Sequence, residues 1–312
     1  MSGGTWIAVD GGQSTTRARA SWTTEDAAVA GFIQTTDGFA AVAANVSAAL
    51  AAVPDAPGTI DRLVVGHTGL PIDHASRDRL ARMLLADHPV REVVLAPDEV
   101  TAHAGALGGP GVVSAVGTGC VTLAVDAEGR GHRIDGWGFL FGDAGSAFAI
   151  GRAALEAALR SDDGRNPPSS LVAAVHEVFG GSPRDATWAL YQMTDRIDRV
   201  ARFAPRVIEE AEHDAAAAAI VRHAAEELAH ACATAAEALP GIDRVAVTGR
   251  LIAPGSRLER EFIDALAARA AHLLTVPSAG SPLDGAARIA ADGPSIYRPL
   301  VEILTRPESS AA

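Results

Sequence analysis

The sequence is poor in cysteine, in aromatic side chains and in positive charge, and it has no long apolar run. Its only cysteines among 312 residues are Cys120 and Cys232. They stand far apart in differently patterned segments, which gives neither a disulfide framework nor metal-ligand spacing, and both are expected as buried thiols. No stretch approaches the roughly 20 uninterrupted apolar residues that cross a bilayer. The start, Met1-Ser-Gly-Gly-Thr-Trp6, has no basic region followed by an apolar core, so a cytoplasmic location without a membrane partner is expected. Basic residues number 26 against 38 acidic ones, a formal net charge of −12. That balance leaves nucleic acid and anionic membranes no electrostatic footprint, and a phosphate-bearing ligand would need local backbone donors instead.

What is present describes a globular α/β chain, 48% hydrophobic and 21% charged. The length exceeds what one hydrophobic core usually fills, which favours two domains. Trp6-Ile-Ala-Val9, Asp10-Gly-Gly12 and Arg17-Ala-Arg-Ala-Ser-Trp22 read as strand, glycine turn and returning strand. Helical spacing over 39–53, a strand at 62–66, a helix near 76–87 and a strand at 92–95 continue an alternation of the α/β kind. The cluster Gly105-Ala-Leu-Gly-Gly-Pro-Gly111 marks the expected domain crossing. Beyond it, strands at 112–116 and 121–125 flank Gly117-Thr-Gly119, repeating the opening pattern without a detectable sequence repeat. Helices dominate 145–239, including the alanine-rich Asp214-Ala-Ala-Ala-Ala-Ala219, before a strand at 244–248 and a last α/β stretch. The expected division is 1–108 with 287–305 as one domain, 109–286 as the other and a disordered tail over 306–312.

Several constellations have chemistry to offer. In Asp10-Gly-Gly-Gln-Ser-Thr15 the glycines Gly11 and Gly12 let backbone N–H groups approach phosphate oxygens, and Ser14 and Thr15 add hydroxyls. Asp10 at the strand end suits Mg²⁺ held through water, although a tight turn alone also explains the motif. Gly117-Thr-Gly119, with the Thr118 hydroxyl, is a second such turn. Asp98 follows the strand over 92–95, where it is either a general base for a substrate hydroxyl or a helix N-cap. Gly136-Trp-Gly-Phe-Leu-Phe-Gly-Asp-Ala-Gly145 alternates aromatic residues and glycine before a long helix. There Trp137 is a flat wall for a ring or a core residue, and Asp143 a hydroxyl ligand or a cap. Thr248-Gly-Arg250 gives adenine a bare backbone to lie on, or is a generic turn. His67 and His103 read as hydrogen-bonded structural histidines, and Glu209-Glu-Ala-Glu212 as a solvated helix face.

In order and spacing, Asp10-Gly-Gly-Gln-Ser-Thr15, Asp98, Gly117-Thr-Gly119, Gly136-Trp-Gly138 with Gly142-Asp-Ala-Gly-Ser146, and Thr248-Gly249 resemble the BadF-type ATPase and N-acetylglucosamine kinase family. The likeness runs from about residue 5 to 292. It implies two actin-like (ribonuclease-H-like) α/β domains with an ATP and substrate cleft between them, and a closing helix, within 284–303, packed on the first domain. It implies a kinase that uses ATP and Mg²⁺ on the 6-hydroxyl of N-acetylglucosamine, a small-molecule sugar, with a homodimer as the candidate assembly. Asp98 would then be the base. Thr118, Gly119, Trp137, Gly138 and Asp143 would line the sugar. Gly11, Gly12, Gln13, Ser14, Thr15, Gly117, Thr118, Gly249 and Arg250 would contact ATP, with Asp10 organising the metal. Gly280-Ser-Pro-Leu-Asp-Gly-Ala-Ala287 resembles the family's motif near adenosine.

The sequence departs from the pattern after Gly38, where Gly38-Phe-Ala-Ala41 lacks the sugar-contacting asparagine. Asn45 is expected inside the following helix and does not inherit that role. Glucosamine or N-acetylmuramic acid therefore stays open as substrate. Relatives that activate a dehydratase hold an iron–sulfur cluster on cysteines, for which this chain lacks a suitable pair. A non-catalytic nucleotide switch is the third alternative.

Overall fold

The computed structural model describes residues 4–12, 15–31, 38–71 and 73–307. The chain divides into two compact units, residues 1–110 with 125–131 and 278–312, and residues 111–124 with 132–277.

The first unit opens with β1 (Trp6–Gly11), β2 (Thr15–Ala20) and β3 (Ala27–Ala30). It continues through α1 (Gly38–Ala51), β4 (Ile60–His67), α2 (His74–Asp87), β5 (Val90–Pro97) and α3 (Asp98–Ala106). β1 to β3 form an antiparallel meander, while β4 lies parallel to β1 and β5 parallel to β4. Strand alternation sorts the side chains. Ile7 and Val9 enter the core shared with Val42, Val46, Leu80 and Leu84 of α1 and α2, so Ala8 and Asp10 stand on the opposite face.

The second unit carries β6 (Gly111–Val116), β7 (Cys120–Val125) and β8 (Gly131–Asp135), then α4 (Ala147–Asp162), α5 (Leu171–Phe179), α6 (Pro183–Tyr191), α7 (Arg196–Ala201), α8 (Ala204–Glu210) and α9 (Ala215–Glu237). β9 (Arg244–Thr248), α10 (Arg257–Arg269) and β10 (Leu274–Thr275) complete it. The alanine-rich stretch is the start of α9, capped by Asp214, whose Oδ1 accepts from the Ala216 and Ala217 N–H groups. Its small side chains let neighbours come close. The backbone of Gly145, at φ +84°, sits where a Cβ would lie 2.8 Å from the Ala224 carbonyl oxygen.

With the last strand, β11 (Glu302–Thr305), the sheets run β11-β5-β4-β1-β2-β3 and β10-β9-β6-β7-β8. Leaving β11 aside, both place a three-strand meander and then two parallel strands in the same order, the ribonuclease-H-like arrangement. The duplicated pattern read from the two glycine turns is therefore real at the level of topology. β3 and β8 were not expected, because Ala-Ala-Val-Ala and Gly-His-Arg-Ile-Asp have no apolar alternation to announce them.

After β10 the chain rejoins the first unit at Ser278, before the expected residue 287, because Ala279 N–H already bonds the Ala106 carbonyl at the end of α3 (2.9 Å). α11 (Pro282–Asp292) then packs on α3 and β1. The segment 284–303 is not one helix. Pro294 and Pro299 interrupt it, a 3₁₀ turn over Ser295–Leu300 follows α11, and β11 (Glu302–Thr305) adds antiparallel to β5. Arg306, assigned to a disordered tail, is anchored: its N–H bonds the Arg91 carbonyl (2.7 Å) and its guanidinium the carbonyls of Leu85, His88 and Val90. Residues 308–312 of that tail lie outside the described residues. Among the described residues no helix is long and apolar enough to cross a membrane.

Candidate active site

The first unit gathers its chemistry at the ends of β1, β4 and β5. Asp10 pairs with Arg17 across β2 and with Gly66 across β4. Gly66 has no side chain because Thr101 of α3 covers it, and a Cβ there would come within 2.6 Å of the threonine hydroxyl. This contact seats the first turn of α3, and with it Asp98, over the strand ends. Asp98 is the first helical residue rather than the cap, which is Pro97, and its Oδ1 accepts from Glu99 N–H (3.1 Å). The pKa of Asp10 is raised to about 6, first by burial and then by the charge of Asp98, against the opposing pull of Arg17. Asp10 and Asp98 thus share one electrostatic neighbourhood.

A raised carboxylate pKa makes the ionised form a cost to the fold. The stability involved is complete below the unfolded value of 3.8 and is lost as pH rises through about 6. Asp10→Asn is accordingly expected to stabilise the metal-free protein at pH 8 by about 2–3 kcal/mol, with no gain at pH 3.8. Thermal melts across that range without divalent cations check this, and equal midpoints at pH 8 would refute it.

Arg17 was not singled out from the sequence, although two-residue alternation puts it on the Asp10 face. The sequence has no lysine, so any cationic contact to phosphate falls to arginine. Among the described residues Arg17 makes no ion pair, whereas Arg19, one pair further along the strands, is held by Asp26 and Asp284 (2.7 Å each). Gly12 closes the turn by donating to Thr15 O (3.1 Å); Gln13 and Ser14 lie outside the described residues. The Gly280–Ala287 motif belongs here by fold. Ser281 and Asp284 form a capping box that starts α11, and Asp284 is held down to about pKa 2 by Ser281 and Arg19 against its own burial.

In the second unit the turn over 117–119 and the start of α4 are one piece. Gly117 N–H bonds Gly119 O (2.8 Å), while the carbonyls of Gly117 and Thr118 accept from Ala147 and Phe148 N–H (3.0 and 3.1 Å). Ser146 is the cap and accepts from Ala149 N–H (3.2 Å), so the cap role considered for Asp143 belongs to Ser146. The first turn of α4 thus spends these donors on the protein, and Gly117 N–H is spent within the glycine turn.

Asp143 stands at φ +60°, held there by its neighbour Asp135, whose carboxylate takes both Asp143 N–H (2.9 Å) and Ala144 N–H (2.8 Å). Its Oδ1 accepts from Gly138 N–H (3.2 Å). Its Oδ2 lies where a Cβ on Gly119 would be 2.5 Å away, so a side chain at 119 would push the carboxylate from this position. Burial and the Asp135 charge raise its pKa, opposed by the N–H groups of Gly138 and Cys120. Trp137 is 69% exposed, which excludes the core alternative, and Arg133 stacks on its ring (5.4 Å). Gly249, at φ +121°, has a packing reason of its own: a Cβ would lie 2.8 Å from the Val116 carbonyl carbon. Arg250 is exposed beside it. Both cysteines are buried free thiols, Cys120 donating to the Ala144 carbonyl (3.0 Å).

Two ribonuclease-H-like units, each with a glycine turn after its first strand, define an actin-like fold. More narrowly, the chain belongs to the BadF/BadG/BcrA/BcrD ATPase family, whose model matches residues 7–271. The chain is similar to the N-acetyl-D-glucosamine kinase of Dictyostelium discoideum, 34% identical over 104 residues, 33% of this chain and 33% of that protein. It also resembles the N-acetylmuramic acid/N-acetylglucosamine kinase of Clostridium acetobutylicum, 41% identical over 61 residues, 20% of each chain. These matches span a third or less of the curated relatives. A solved candidate N-acetylglucosamine kinase from Chromobacterium violaceum aligns over 92% of this chain and 98% of its own, with 28% identity and a TM-score of 0.67.

Proposed function

We propose that the chain is an ATP-dependent kinase of amino sugars that phosphorylates the 6-hydroxyl of N-acetylglucosamine. The observation that carries the reading is the carboxylate pair at the strand ends of the first sheet, Asp10 near the end of β1 and Asp98 directly after β5 at the start of α3. The relatives named above support the choice of sugar.

On this reading Asp98 accepts the hydroxyl proton as the sugar oxygen bonds to the γ-phosphorus, and the bond from that phosphorus to the β–γ bridging oxygen breaks to release ADP. Gly11, Gly12, Gln13, Ser14, Thr15, Gly117 and Thr118 contact the phosphates, and Gly249 with Arg250 the adenine side. Thr118, Gly119, Trp137, Gly138 and Asp143 serve the sugar, with Asp143 accepting from its hydroxyls through Oδ2. Asp10, a hard oxygen donor whose ionised form burial disfavours, is the residue that would hold Mg²⁺ through water, where the cation would neutralise phosphate charge. The reading extends to a cytoplasmic, homodimeric enzyme. A kinase of glucosamine or N-acetylmuramic acid is the alternative, favoured by the missing asparagine after Gly38.

The test is ADP release by the purified chain with ATP, Mg²⁺ and a panel of amino sugars. Release that depends on sugar, largest with N-acetylglucosamine, is expected. A panel without any sugar-dependent release would sink the proposal, and a preference for another amino sugar would select the alternative.

A further inference from the structure

Asp135, the last residue of β8, takes no part in the chemistry above, yet it stands at the base of the loop that carries Trp137, Gly138 and Asp143. Its backbone has φ +60°, as does that of Asp143, with Gly136 and Gly138 at +74° and +82° between them. Residues other than glycine keep such a conformation only where their surroundings impose it. The Asp135 carboxylate supplies the constraint. Oδ1 accepts from Asp143 N–H (2.9 Å) and Oδ2 from Ala144 N–H (2.8 Å). Two successive N–H groups that converge in this way form a nest, a concavity suited to an anion, and a side chain of the same unit fills it. A Cβ on Gly142 would meet Asp135 Oδ1 and lie 2.9 Å from Trp137 Cβ, so the bare backbone there gives the carboxylate its place. The loop also closes on itself, because the Gly138 carbonyl accepts from Phe141 N–H (3.1 Å) and Gly142 N–H (2.8 Å). On its outer side Arg133 donates to the Gly136 carbonyl (2.8 Å) and stacks on Trp137.

We propose that Asp135 is the positioning residue for Asp143: by binding the N–H groups of Asp143 and Ala144 it fixes the backbone at 143 and so aims the Asp143 carboxylate before a sugar arrives. The inference rests on reading Asp143 as a ligand of the sugar hydroxyls. With the backbone held, Asp143 Oδ1 reaches Gly138 N–H (3.2 Å) and Oδ2 lies against Gly119. A hydroxyl then meets an acceptor that needs no further ordering, and pre-organisation of this kind adds affinity by lowering a cost of binding. Without the Asp135 carboxylate, the two N–H groups lose their acceptor and the positive φ at 143 loses its support. The Asp143 side chain should then swing away from the place where Gly119 gives it room. Because a ligand held alike in the ground and transition states contributes to binding rather than to turnover, the loss belongs to KM.

Steady-state kinetics of the full chain with N-acetylglucosamine and ATP, and a thermal melt for every variant, test this. Asp135→Gly removes the carboxylate and still accepts φ +60° without strain. It should raise the sugar KM about tenfold or more, on the scale of a displaced binding group, while kcat and the ATP KM stay within about threefold. Asp135→Asn also tolerates this φ and keeps one acceptor oxygen for one of the two N–H groups, so it should recover part of the loss. A sugar KM within about twofold of wild type in the glycine variant overturns the proposal, as does a parallel decline of kcat and both KM values with the melting midpoint, which marks a structural role only. An asparagine variant no better than glycine overturns it as well. If Asp135→Gly does not fold, Asp135→Asn decides against wild type: a rise of about threefold or more confined to the sugar KM is expected, and an unchanged value overturns the inference. Wild-type protein without sugar-dependent turnover would refute the kinase reading itself, whereas turnover by wild type with an unaltered sugar KM in the variants would refute only the role of Asp135.

Discussion

Asp98→Asn is expected to lower kcat for sugar phosphorylation by roughly a hundred- to ten-thousand-fold, the usual scale for losing a general base, while ATP affinity changes by less than about threefold. Asparagine has the same shape, and its carbonyl oxygen can still accept from Glu99 N–H, the side-chain bond that Asp98 makes among the described residues. The Thr101 hydroxyl bonds the residue-98 carbonyl (3.0 Å) and sits on Gly66, neither of which the substitution touches. The helix should therefore stay where it is, and only the proton acceptor disappears. The variant also removes the charge that helps raise the pKa of Asp10. Asp10 should ionise more readily, and a cation held through Asp10 should bind no worse than before. Steady-state kinetics with calorimetric ATP binding read both quantities. Turnover within a few-fold of wild type would remove Asp98 from its role, and parallel loss of ATP binding would make it a nucleotide or metal contact instead.

How much of this was visible in the sequence differs from residue to residue, for physical reasons. β1, β4, β5, β6, β7 and β9 announce themselves because buried parallel or central strands are runs of valine, leucine and isoleucine. β3 and β8 lie at sheet edges, where half the residues face away from any core, and their short mixed sequences have no period to detect. The glycine turns were legible as turns, but the reason for their glycines was not. A Cβ would meet His67 at Gly11, Asp143 at Gly119 and the Val116 backbone at Gly249, as it would meet Thr101 at Gly66 within β4, and each of those partners is distant in sequence or reached by folding back. The ambiguity of Asp98 and Asp143 between cap and ligand was of the same kind. A cap is a local hydrogen bond, and only the structure shows that Pro97 and Ser146 hold those positions. Arg17 was readable in principle, since residues 15, 17 and 19 share one strand face, yet it gains meaning only from its register with Asp10.

Gly285→Ala should strongly destabilise the first unit. α3 and α11 cross at Gly105 and Gly285. A Cβ on Gly285 would clash with the Thr101 carbonyl oxygen and lie 3.0 Å from its carbon, while one on Gly105 would lie 2.8 Å from the Ser281 carbonyl carbon. These are backbone atoms, so no rotamer change relieves the contact and the helix axes must separate. α11 cannot simply slide outward, because Leu283, Ala286 and Ile289 are buried on the same packed surface, and its start is tied to β2 through Arg19 and Asp284. Alanine improves helix propensity by about 1 kcal/mol over glycine, whereas overpacking costs ~1–3 kcal/mol when side chains can adjust and more when backbones must move. Steric cost therefore wins, for an expected net loss of about 3 kcal/mol. Because α3 also carries Asp98, separation of the helices should lower kcat along with the melting midpoint. Gly58→Ala, which meets nothing within 4 Å, is the control and should leave both unchanged. A Gly285→Ala midpoint at or above that of wild type would show that the two helices do not pack at the distance described.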